Sequence, residues 1–397
     1  MKKEIKEKKE NCDACGTSQV NHKLMFSLRL MDEIMGKVAY IYKPFSFIGN
    51  NLKLINLFEK SIFNLLHFLY IVKYNSDIEK TTNGRSKLVW QEAKSRGIDM
   101  KQILFFNKPI DYFRAKINNK IVFFNSLPIP PWMPHDGYSW VDDKFVFAEK
   151  FQAAGIPSLK TKKIIFLKDA ISAFNNFQKP IIIKPQLGSL GRHTTTNINT
   201  IEELKKAFKL AKQITPVMVA QEHLFGSVYR ATVVNNVLVG FFRADPPFIL
   251  GDGIKSVKEL ISEKNKNRNE KVSNILISKE LINFLGRQNL TIDSVLPVDV
   301  KVNLLAKTGR FYGGYTKEML KEIHPKFYSI FKKANELISM PVAGFDLIIE
   351  DPTKDPDTQR WGIIECNSLP FIDLHFFPLE GEPVNIAKYI WDLWDQK

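Results

Sequence analysis

Two apolar runs close to the C-terminus, 343–349 and 362–368, have the β-branched and large apolar residues that are typical of strands. Because residues two apart on a strand face the same side of a sheet, Glu365 and Asn367 should project together. Asp346 joins them on that face if the two strands pair. Two carboxylates and an amide oxygen form a cluster of hard oxygen ligands, which suits Mg²⁺ carrying a phosphate. The alternative is an ordinary solvated strand face.

Between residue 141 and these strands, the hydrophobic pattern alternates between helical and extended periods around one Gly-rich loop. It predicts helices at 142–154, 201–213 and 255–264, and strands at 180–185, 217–220, 229–234 and 237–240. Gly155 ends the first of these helices, and Asn235-Asn236 forms a hairpin turn between the last two strands.

Residues 1–140 differ from the rest of the chain in their pattern of apolar and polar residues. The patterns predict helices over 52–72 and 85–98, followed by short strands at 103–106 and 121–124. A helix followed by strands suggests a small α/β domain. The Pro-rich segment 127–134 is the expected boundary of that domain.

The most apolar stretch of the chain, 61–72, is too short to span a bilayer and is interrupted by Asn64 and His67. We predict a helix packed on a core, with a membrane-surface helix as the alternative. No apolar segment typical of a signal peptide follows the basic start of the chain. These features predict a cytoplasmic protein without a transmembrane segment.

The composition is ordinary for a globular protein, with 44% hydrophobic and 25% charged residues, but the formal net charge is +15. Such a charge favours nucleic acid, a membrane surface or an anionic substrate as a partner. A Lys-rich surface without a specific partner is the simpler alternative. We expect no specific nucleic-acid partner.

The three cysteines do not indicate a disulfide framework, which agrees with a reducing compartment. Cys12 and Cys15 form a lone C-x-x-C pair. A zinc site would need two more ligands. His22 is close in sequence, but the chain has no second C-x-x-C, so a metal or redox role is the less favoured interpretation.

A Gly-rich loop, Lys184 to His193, follows the predicted strand 180–185. Glycines such as Gly188 and Gly191 let backbone amides approach a phosphate, and Lys184 at the end of the strand can reach phosphate oxygens. The loop matches neither the Walker A pattern nor the dinucleotide fingerprint. A plain turn is the alternative. Downstream, the apolar strand 217–224 offers backbone groups to an adenine edge, or is simply a core strand.

Four basic residues lie on strands and loops that lead towards the predicted metal strands: Arg230, Arg243, Lys307 and Arg310. An arginine fork suits carboxylates and phosphates. A solvated surface position is the alternative for each residue taken singly. Together with the acidic cluster, the four favour a site for an anionic substrate.

From about Asp143 to the C-terminus the chain resembles the ATP-grasp carboxylate–amine ligases. The likeness is to the ATP-grasp part of cyanophycin synthetase and of the bifunctional glutathione synthetases. The matching segments follow one another in order: 143–144, 154–157, 183–185, 221–230, 251–255, 312–314, 344–346 and 365–370. The resemblance implies an α/β (α+β) protein with the ATP-grasp fold, in which two α+β subdomains clasp ATP. The ATP-grasp domain would be 141–397, its lid subdomain about 155–222, and residues 1–140 would hold a helical and pre-ATP-grasp-like region.

The resemblance also implies roles for the residues that match. Lys144 and Lys184 would contact the nucleotide phosphates. The loop over the triphosphate would include Gln186, Gly188, Ser189 and Gly191. Gln221, Glu222 and Leu224 would lie against adenine, with Leu224 acting through its backbone amide. Asp346, Glu365 and Asn367 would bind Mg²⁺.

The catalytic group implied by the resemblance consists of Arg230 and Arg243, which would steer an acyl phosphate or a substrate carboxylate, together with Lys307 and Arg310. The sequence departs from the family pattern at three places. Gln221 replaces a common Glu, and Val228 stands where many relatives carry an acidic ribose-binding residue. Gly309-Arg310 stands where relatives carry an Asn.

The implied activity is ATP-dependent ligation. A carboxylate, activated as an acyl phosphate with release of ADP, is joined to an amine that belongs to an amino acid or a peptide. The cofactors would be ATP and two Mg²⁺ ions, with Mn²⁺ as an alternative ion, and a homodimer is compatible with the family. No Mur-ligase-like segment is recognised, so we expect a free-standing ligase. The alternatives are an ATP-grasp phosphotransferase acting on a hydroxyl, and a non-catalytic protein that binds anionic partners.

Overall fold

The computed structural model describes residues 12–15, 19–41, 61–81, 83–134, 136–188 and 191–395. A 3₁₀ turn at Asp13–Cys15 comes before the first helix, α1 (His22–Ile41), and residues 61–68 form helix α2. The rest of the helix predicted from residue 52 lies outside the described residues. No helix in the described part of the chain is long and apolar enough to cross a membrane.

Helix α2 confirms the helix predicted over the apolar stretch, through residue 68. Phe63 stacks on Tyr112 and Phe123, with ring centroids 5.5 and 4.7 Å apart. Leu65 and Phe68 are 58% and 78% exposed among the described residues. The expectation of a core helix therefore holds for one side of α2 only.

A four-stranded antiparallel sheet and one helix follow. In chain order the elements are β1 (Val72–Asn75), α3 (Gly84–Ser95), β2 (Asp99–Phe105), β3 (Lys108–Ile117) and β4 (Lys120–Asn125). The Asn83 side chain caps α3 by accepting a hydrogen bond from the Arg85 amide. The sequence patterns predicted α3 and parts of β2 and β4, but missed β1 and β3.

A second four-stranded sheet carries the Gly-rich loop. In chain order the elements here are α4 (Lys144–Ala153), β5 (Thr161–Ile164), α5 (Leu167–Asn176), β6 (Ile181–Pro185), β7 (Thr195–Ile198), α6 (Ile201–Lys212) and β8 (Met218–Glu222). The strand order is β5-β8-β6-β7, and all neighbours are antiparallel. Helices α5 and α6 pack on this sheet through a common apolar cluster. The Gly-rich loop follows β6, as predicted, but it leads into β7, a strand that the sequence pattern did not predict.

The remaining elements build a five-stranded sheet and a small two-stranded one. In chain order they are β9 (Ser227–Val234), β10 (Val237–Ala244), β11 (Phe248–Leu250), α7 (Val257–Lys266), α8 (Lys279–Gly286), β12 (Lys301–Asn303), β13 (Thr316–Glu318), α9 (Lys326–Ile338), β14 (Val342–Ile349), β15 (Gly362–Asn367), α10 (Asp373–Phe376) and α11 (Ile386–Asp392). The large sheet is antiparallel in the order β13-β10-β9-β14-β15, and β11 pairs with β12.

Helix α9 covers one face of the five-stranded sheet. Phe331 is fully buried, and its ring lies 5.6 Å from that of Phe345 and 6.2 Å from that of Phe241, measured between centroids. Phe327 contacts Phe241 from the next turn of the helix. The opposite face carries both apolar residues, such as Val234 and Val342, and the polar residues of the site described below.

The N-terminal sheet and the C-terminal helix share one apolar cluster, which contains Val89, Phe113, Phe124 and Trp391. The Trp391 indole N–H donates to the Val89 carbonyl oxygen at 2.9 Å. The division of the chain at residue 140, and the lid boundaries at about 155 and 222, stay predictions.

We predict that Phe331→Ala lowers the free energy of unfolding by about 3–5 kcal/mol, because it removes a buried ring and leaves a cavity between α9 and the sheet. Chemical denaturation would measure the change. Lys332→Ala is the matched control on the same helix: its side chain is 62% exposed, and the change should stay within ~0.5 kcal/mol. Equal effects of the two substitutions would contradict this account of the core.

Candidate functional site

One row of the five-stranded sheet carries three charged residues side by side. Arg230 on β9, Asp346 on β14 and Glu365 on β15 lie directly opposite one another in the antiparallel ladders. Asn367 lies two residues further along β15, on the same face as Glu365, while Cys366 is buried in the core on the other face. The predicted shared projection of Glu365 and Asn367 is confirmed, and strand pairing does bring Asp346 beside them.

Arg230 and Asp346 form a bidentate ion pair at the centre of this row. The Arg230 Nε–H donates to Asp346 Oδ1 and an Nη2–H donates to Oδ2, both at 2.7 Å. The Asn367 amide also donates to Asp346 Oδ2, at 3.4 Å. Both charged side chains are largely buried, so each depends on the other for neutralisation.

Two lysines approach the same row, Lys144 from helix α4 and Lys184 from strand β6 of the second sheet. Lys144 is the first residue of α4, which begins after the N-cap Asp143. Its ammonium donates to the Gly188 carbonyl at 2.6 Å and lies 3.7 Å from Glu365 Oε2. Lys184 lies near the end of β6 and is 8% exposed; none of the described residues forms a hydrogen bond with its ammonium. The structure therefore brings together both predicted phosphate lysines and the acidic row.

Burial and neighbouring charges shift the titration of these groups. Burial, reinforced by the charge of Lys144, lowers the pKa of Lys184 to about 8. Although burial opposes ionisation, the charges of Lys144 and Lys184 hold the pKa of Glu365 below its ordinary value. Burial raises the pKa of Asp346 against the opposing effect of Arg230. The cations thus keep Glu365 ionised, and a bound anion would keep Lys184 charged to a higher pH.

Among the buried side-chain atoms that have no hydrogen-bond partner in the described residues, three lie at the ends of β6 and β8: Gln186 Oε1, Gln221 Oε1 and His223 Nδ1. Gln221 lies opposite Ile182 in the β6–β8 ladder, so it shares a sheet face with Lys184, two residues along β6. The amide nitrogens of both glutamines are occupied, that of Gln186 by Asp143 and that of Gln221 by Thr161. Because buried polar groups are rarely left unpaired, these atoms fit a cleft that receives a polar ligand.

Glu222 and Leu224 lie at the end of β8. The Glu222 carboxylate pairs with Arg360 at 3.2 Å and accepts a hydrogen bond from the Gln178 backbone N–H at 3.4 Å. Strand alternation turns it away from the face that holds Gln221. Leu224 is 4% exposed, and its backbone N–H has no hydrogen bond to any described residue. Leu224 therefore offers a ligand its backbone N–H, which no described residue occupies.

The Gly-rich loop is described only in part, and Ser189 lies outside the described residues. Gly188 and Gly191 have φ of +119° and +62°, backbone conformations that favour glycine. A Cβ on Gly188 would lie 2.5 Å from Arg29 Nη2 of helix α1. The N-terminal segment therefore reaches the loop directly, which the sequence did not predict.

Arg243 does not join Arg230 on one face. Arg230 is opposite Phe242 in the β9–β10 ladder, whereas Arg243 is opposite Tyr229, one residue out of step. Arg243 pairs with Asp245 at 2.8 Å. The steering role expected for the two arginines together gains no support from this register.

The remaining two predicted catalytic residues are engaged elsewhere. Lys307 donates to Glu280 of α8 at 2.9 Å. Arg310 donates to the Phe377 carbonyl at 2.9 Å and lies over the Phe311 ring. Both lie on the connection between β12 and β13, where Gly309 and Gly313 have positive φ. Among the described contacts, neither residue touches the acidic row.

The sequence patterns did not predict the buried hydrogen bonds that connect Thr232, His375 and Glu318. His375 Nε2 lies 2.7 Å from Thr232 Oγ1, and His375 Nδ1 lies 2.6 Å from Glu318 Oε2. A Cβ on Gly240 would lie 2.5 Å from the His375 ring, so the strand needs glycine there. An isolated glycine within an apolar strand was the available signal.

No family model matches the chain. Its sequence is 32% identical over 251 residues to cyanophycin synthetase from Synechocystis sp., and 26% identical over 263 residues to the glutathione biosynthesis bifunctional protein from Mannheimia succiniciproducens. The alignments cover 61% and 62% of this chain, but only 29% and 35% of those two proteins. The chain therefore spans about a third of the length of these relatives.

The fold is similar to that of a bifunctional glutathione synthetase from Pasteurella multocida. The crystal structure of that protein superposes with a TM-score of 0.55 at 23% identity, over 79% of this chain and 44% of the other. The fold class expected from the sequence is confirmed. The chain is similar in sequence to part of cyanophycin synthetase and of the bifunctional glutathione biosynthesis proteins, and it shares the fold of the bifunctional glutathione synthetase.

Proposed function

We propose that this protein is an ATP-dependent carboxylate–amine ligase. The observation that carries the proposal is that Lys144, Lys184 and Arg230 lie close to the carboxylates of Asp346 and Glu365. Such a set can neutralise a triphosphate and hold the cation that accompanies it. The relatives named above are synthetases, which supports a ligase over a phosphotransferase or a non-catalytic binding protein.

Asp346, Glu365 and Asn367 would hold Mg²⁺. Their oxygens are hard ligands on one sheet face, and Glu365 is kept ionised by the neighbouring lysines, so the donor set fits the ion. When bound, Mg²⁺ supplies charge neutralisation for the phosphates and helps to align the γ-phosphate. Two ions, or Mn²⁺ in their place, belong to the same proposal.

The cations of the chain itself would orient the reacting groups. Lys184, whose ammonium forms no hydrogen bond with the described residues, would bind triphosphate oxygens from β6. Lys144 would contact the phosphates and hold the Gly188 carbonyl at the same time. Arg230, fixed by Asp346, would present its remaining N–H donors to the substrate carboxylate and then to the acyl phosphate. The fixed guanidinium would thereby stabilise charge without reorganising during the reaction.

The ends of β6 and β8 would receive the base of ATP. The Leu224 N–H and Gln221 Oε1 are the donor and acceptor that adenine requires on its edge, and both lack partners among the described residues. The Gly-rich loop would then cover the triphosphate and exclude water, because an acyl phosphate exposed to water hydrolyses.

The substrates proposed are a carboxylate and an amine from amino acids or peptides. The acyl carbon would form its new bond to the amine nitrogen, with phosphate as the leaving group. A reducing, cytoplasmic setting and a homodimer belong to the same proposal. The three free cysteines support the former.

The purified full chain, supplied with Mg²⁺-ATP and pools of amino acids, should release ADP only when both a carboxylate and an amine are present. Mass spectrometry should find a new amide with loss of one water from the summed substrates. ADP release with a phosphorylated hydroxyl product would instead identify a phosphotransferase. ATP binding without any product across carboxylate and hydroxyl acceptors would contradict both activities.

We predict that Glu365→Gln lowers the ligation rate by roughly 10²-fold or more, because it removes a metal-binding charge while keeping the shape of the side chain. Asp346→Ala should also abolish turnover, but it leaves Arg230 buried and unpaired, which costs about 3–5 kcal/mol in stability. Glu365→Gln is therefore the better test of the metal site. Steady-state kinetics over a range of Mg²⁺ concentrations would measure the effect.

Glu336→Gln is the matched control for this substitution, because Glu336 is a half-exposed glutamate on α9, on the opposite side of the sheet. Its rate should equal that of the wild type. Near-normal turnover of Glu365→Gln with an unchanged Mg²⁺ requirement would sink the metal assignment.

The titration of Lys184 predicts a pH-dependent affinity for ATP. The ammonium loses its proton as the pH rises through about 8, and a triphosphate binds the charged form, so affinity should fall above pH 8 by up to ~tenfold per pH unit. Binding at pH 8.5 should therefore take up protons. Calorimetry with ATP and a chelator, in two buffers of different ionisation enthalpy, would count them.

Lys184→Met should remove most of this proton uptake, whereas Lys209→Met, which alters an exposed lysine on α6, should leave it unchanged. The same proton count in wild type and Lys184→Met would mean that another group titrates on binding.

A further inference from the structure

The N-terminal cysteine pair lies against two histidines from different parts of the chain. Cys12, Cys15, His22 and His193 each present one ligand atom, and these four atoms all lie within 4.8 Å of one another. The sequence offered three of these residues, but it gave no reason to connect them with His193, which is 171 positions beyond His22. Folding supplies the fourth ligand.

The distances match a tetrahedral metal site. Zinc–sulfur and zinc–nitrogen bonds of about 2.3 and 2.0–2.1 Å place sulfur and nitrogen roughly 3.6 Å apart on the edge of a tetrahedron. The Cys12 Sγ to His193 Nε2 distance is 3.6 Å. The distances from Cys15 Sγ to His22 Nε2 and to His193 Nε2 are both 3.3 Å.

Hydrogen bonding fixes the tautomer of His193. Its Nδ1 lies 2.7 Å from the Leu210 carbonyl oxygen, which can only accept, so Nδ1 carries the proton. Nε2 is then left with a lone pair, which faces the sulfurs of Cys12 and Cys15. Thiol–imidazole hydrogen bonding would satisfy that lone pair with one sulfur, not two. A carbonyl behind a histidine is also the usual support of a metal-bound imidazole.

The cysteine turn is supported in the same way. The Cys12 amide donates to Gln19 Oε1 at 2.8 Å, and the Gln19 amide donates back to the Cys12 carbonyl at 2.9 Å. The Val20 backbone amide bonds to the Cys15 thiol. These contacts hold both sulfurs towards the histidines, and Cys15 and His193 are 4% and 1% exposed.

We propose that Cys12, Cys15, His22 and His193 bind one structural Zn²⁺ ion. Two thiolates and two neutral imidazoles fill all four positions of a closed site, and tetrahedral S₂N₂ ligation favours zinc among the biological metals. Binding releases the two thiol protons to solvent and leaves a site of zero net charge, which suits burial.

The zinc ion would fasten the N-terminal segment to the Gly-rich loop. His193 is the last residue of that loop, and its amide also donates to the Ala14 carbonyl at 3.0 Å. Arg29 of α1 meets the same loop at Gly188. The N-terminal segment therefore contacts the loop at two places, Gly188 and His193. If the loop covers the triphosphate, as proposed above, zinc would limit its motion and so favour ATP binding.

Elemental analysis of the full-length protein, purified without chelator, should find about one zinc per chain. His193→Ala and Cys15→Ser should lose most of this zinc on dialysis against a chelator that leaves the wild type loaded. His324→Ala and Cys366→Ser are the controls, judged on zinc content alone, since neither residue belongs to the cluster. Full zinc retention by His193→Ala would show that His193 is not a zinc ligand.

Stripping and reloading the wild-type protein keeps the test independent of whether the variants fold. Addition of Co²⁺ to the stripped protein should give the visible absorption of a tetrahedral thiolate site, and one equivalent of Zn²⁺ should remove it. Failure to bind either ion, or a Cys12–Cys15 disulfide in protein purified under reducing conditions, would overturn the proposal.

Hydrogen exchange separates the anchoring role from metal binding. Amides at 191–195 should exchange faster after stripping and slow down again with zinc; unchanged exchange would refute the anchoring. Zinc content does not depend on catalysis. A zinc-loaded protein without ligase activity would therefore count against the proposed function alone, and an active protein unable to bind zinc would count against the zinc site alone.

Discussion

The bidentate ion pair of Arg230 and Asp346 is the interaction on which the arrangement of the site depends. Two acidic side chains, Asp346 and Glu365, stand opposite each other on paired strands, and burial would drive one of them to protonate if no cation were present. Arg230, on the other neighbour of β14, supplies that cation from within the sheet. Because the guanidinium is held at both oxygens of Asp346, the register of β9, β14 and β15 and the electrostatics of the cleft are fixed together.

The sequence was a good guide wherever a residue's effect is local. The strands that carry Asp346 and Glu365, the turn at Asn235-Asn236 and the end of α4 near Gly155 all followed from pattern and backbone preference. The hairpin from β3 to β4 was missed, although Asn118 and Asn119 adopt positive φ there. The charged and polar residues of β3 hid its alternation of apolar positions.

The features that could not be predicted depend on which segments of the chain come together in the fold. The opposite faces of Arg230 and Arg243 depend on the register of β9 with β10, which no single run of residues encodes. The proximity of His193 to Cys12 and Cys15 could not be predicted either, because His193 approaches these residues only in the tertiary fold. Resemblance supplied the proposed ATP-binding residues in order along the chain. The oxygens of Gln186 and Gln221 that lack a partner among the described residues emerged only from the burial and hydrogen bonding of the folded chain.

The hydrogen bond from Trp391 to Val89 joins residues 302 positions apart, within a cluster that draws on the N-terminal sheet and on α11. Contacts of such separation are slow to form, since most of the chain must be ordered or looped out between them. During synthesis the N-terminal sheet therefore waits with part of its apolar surface uncovered until α11 has left the ribosome. Over that interval the uncovered surface is open to aggregation, and loss of α11 would expose the apolar cluster of the N-terminal sheet.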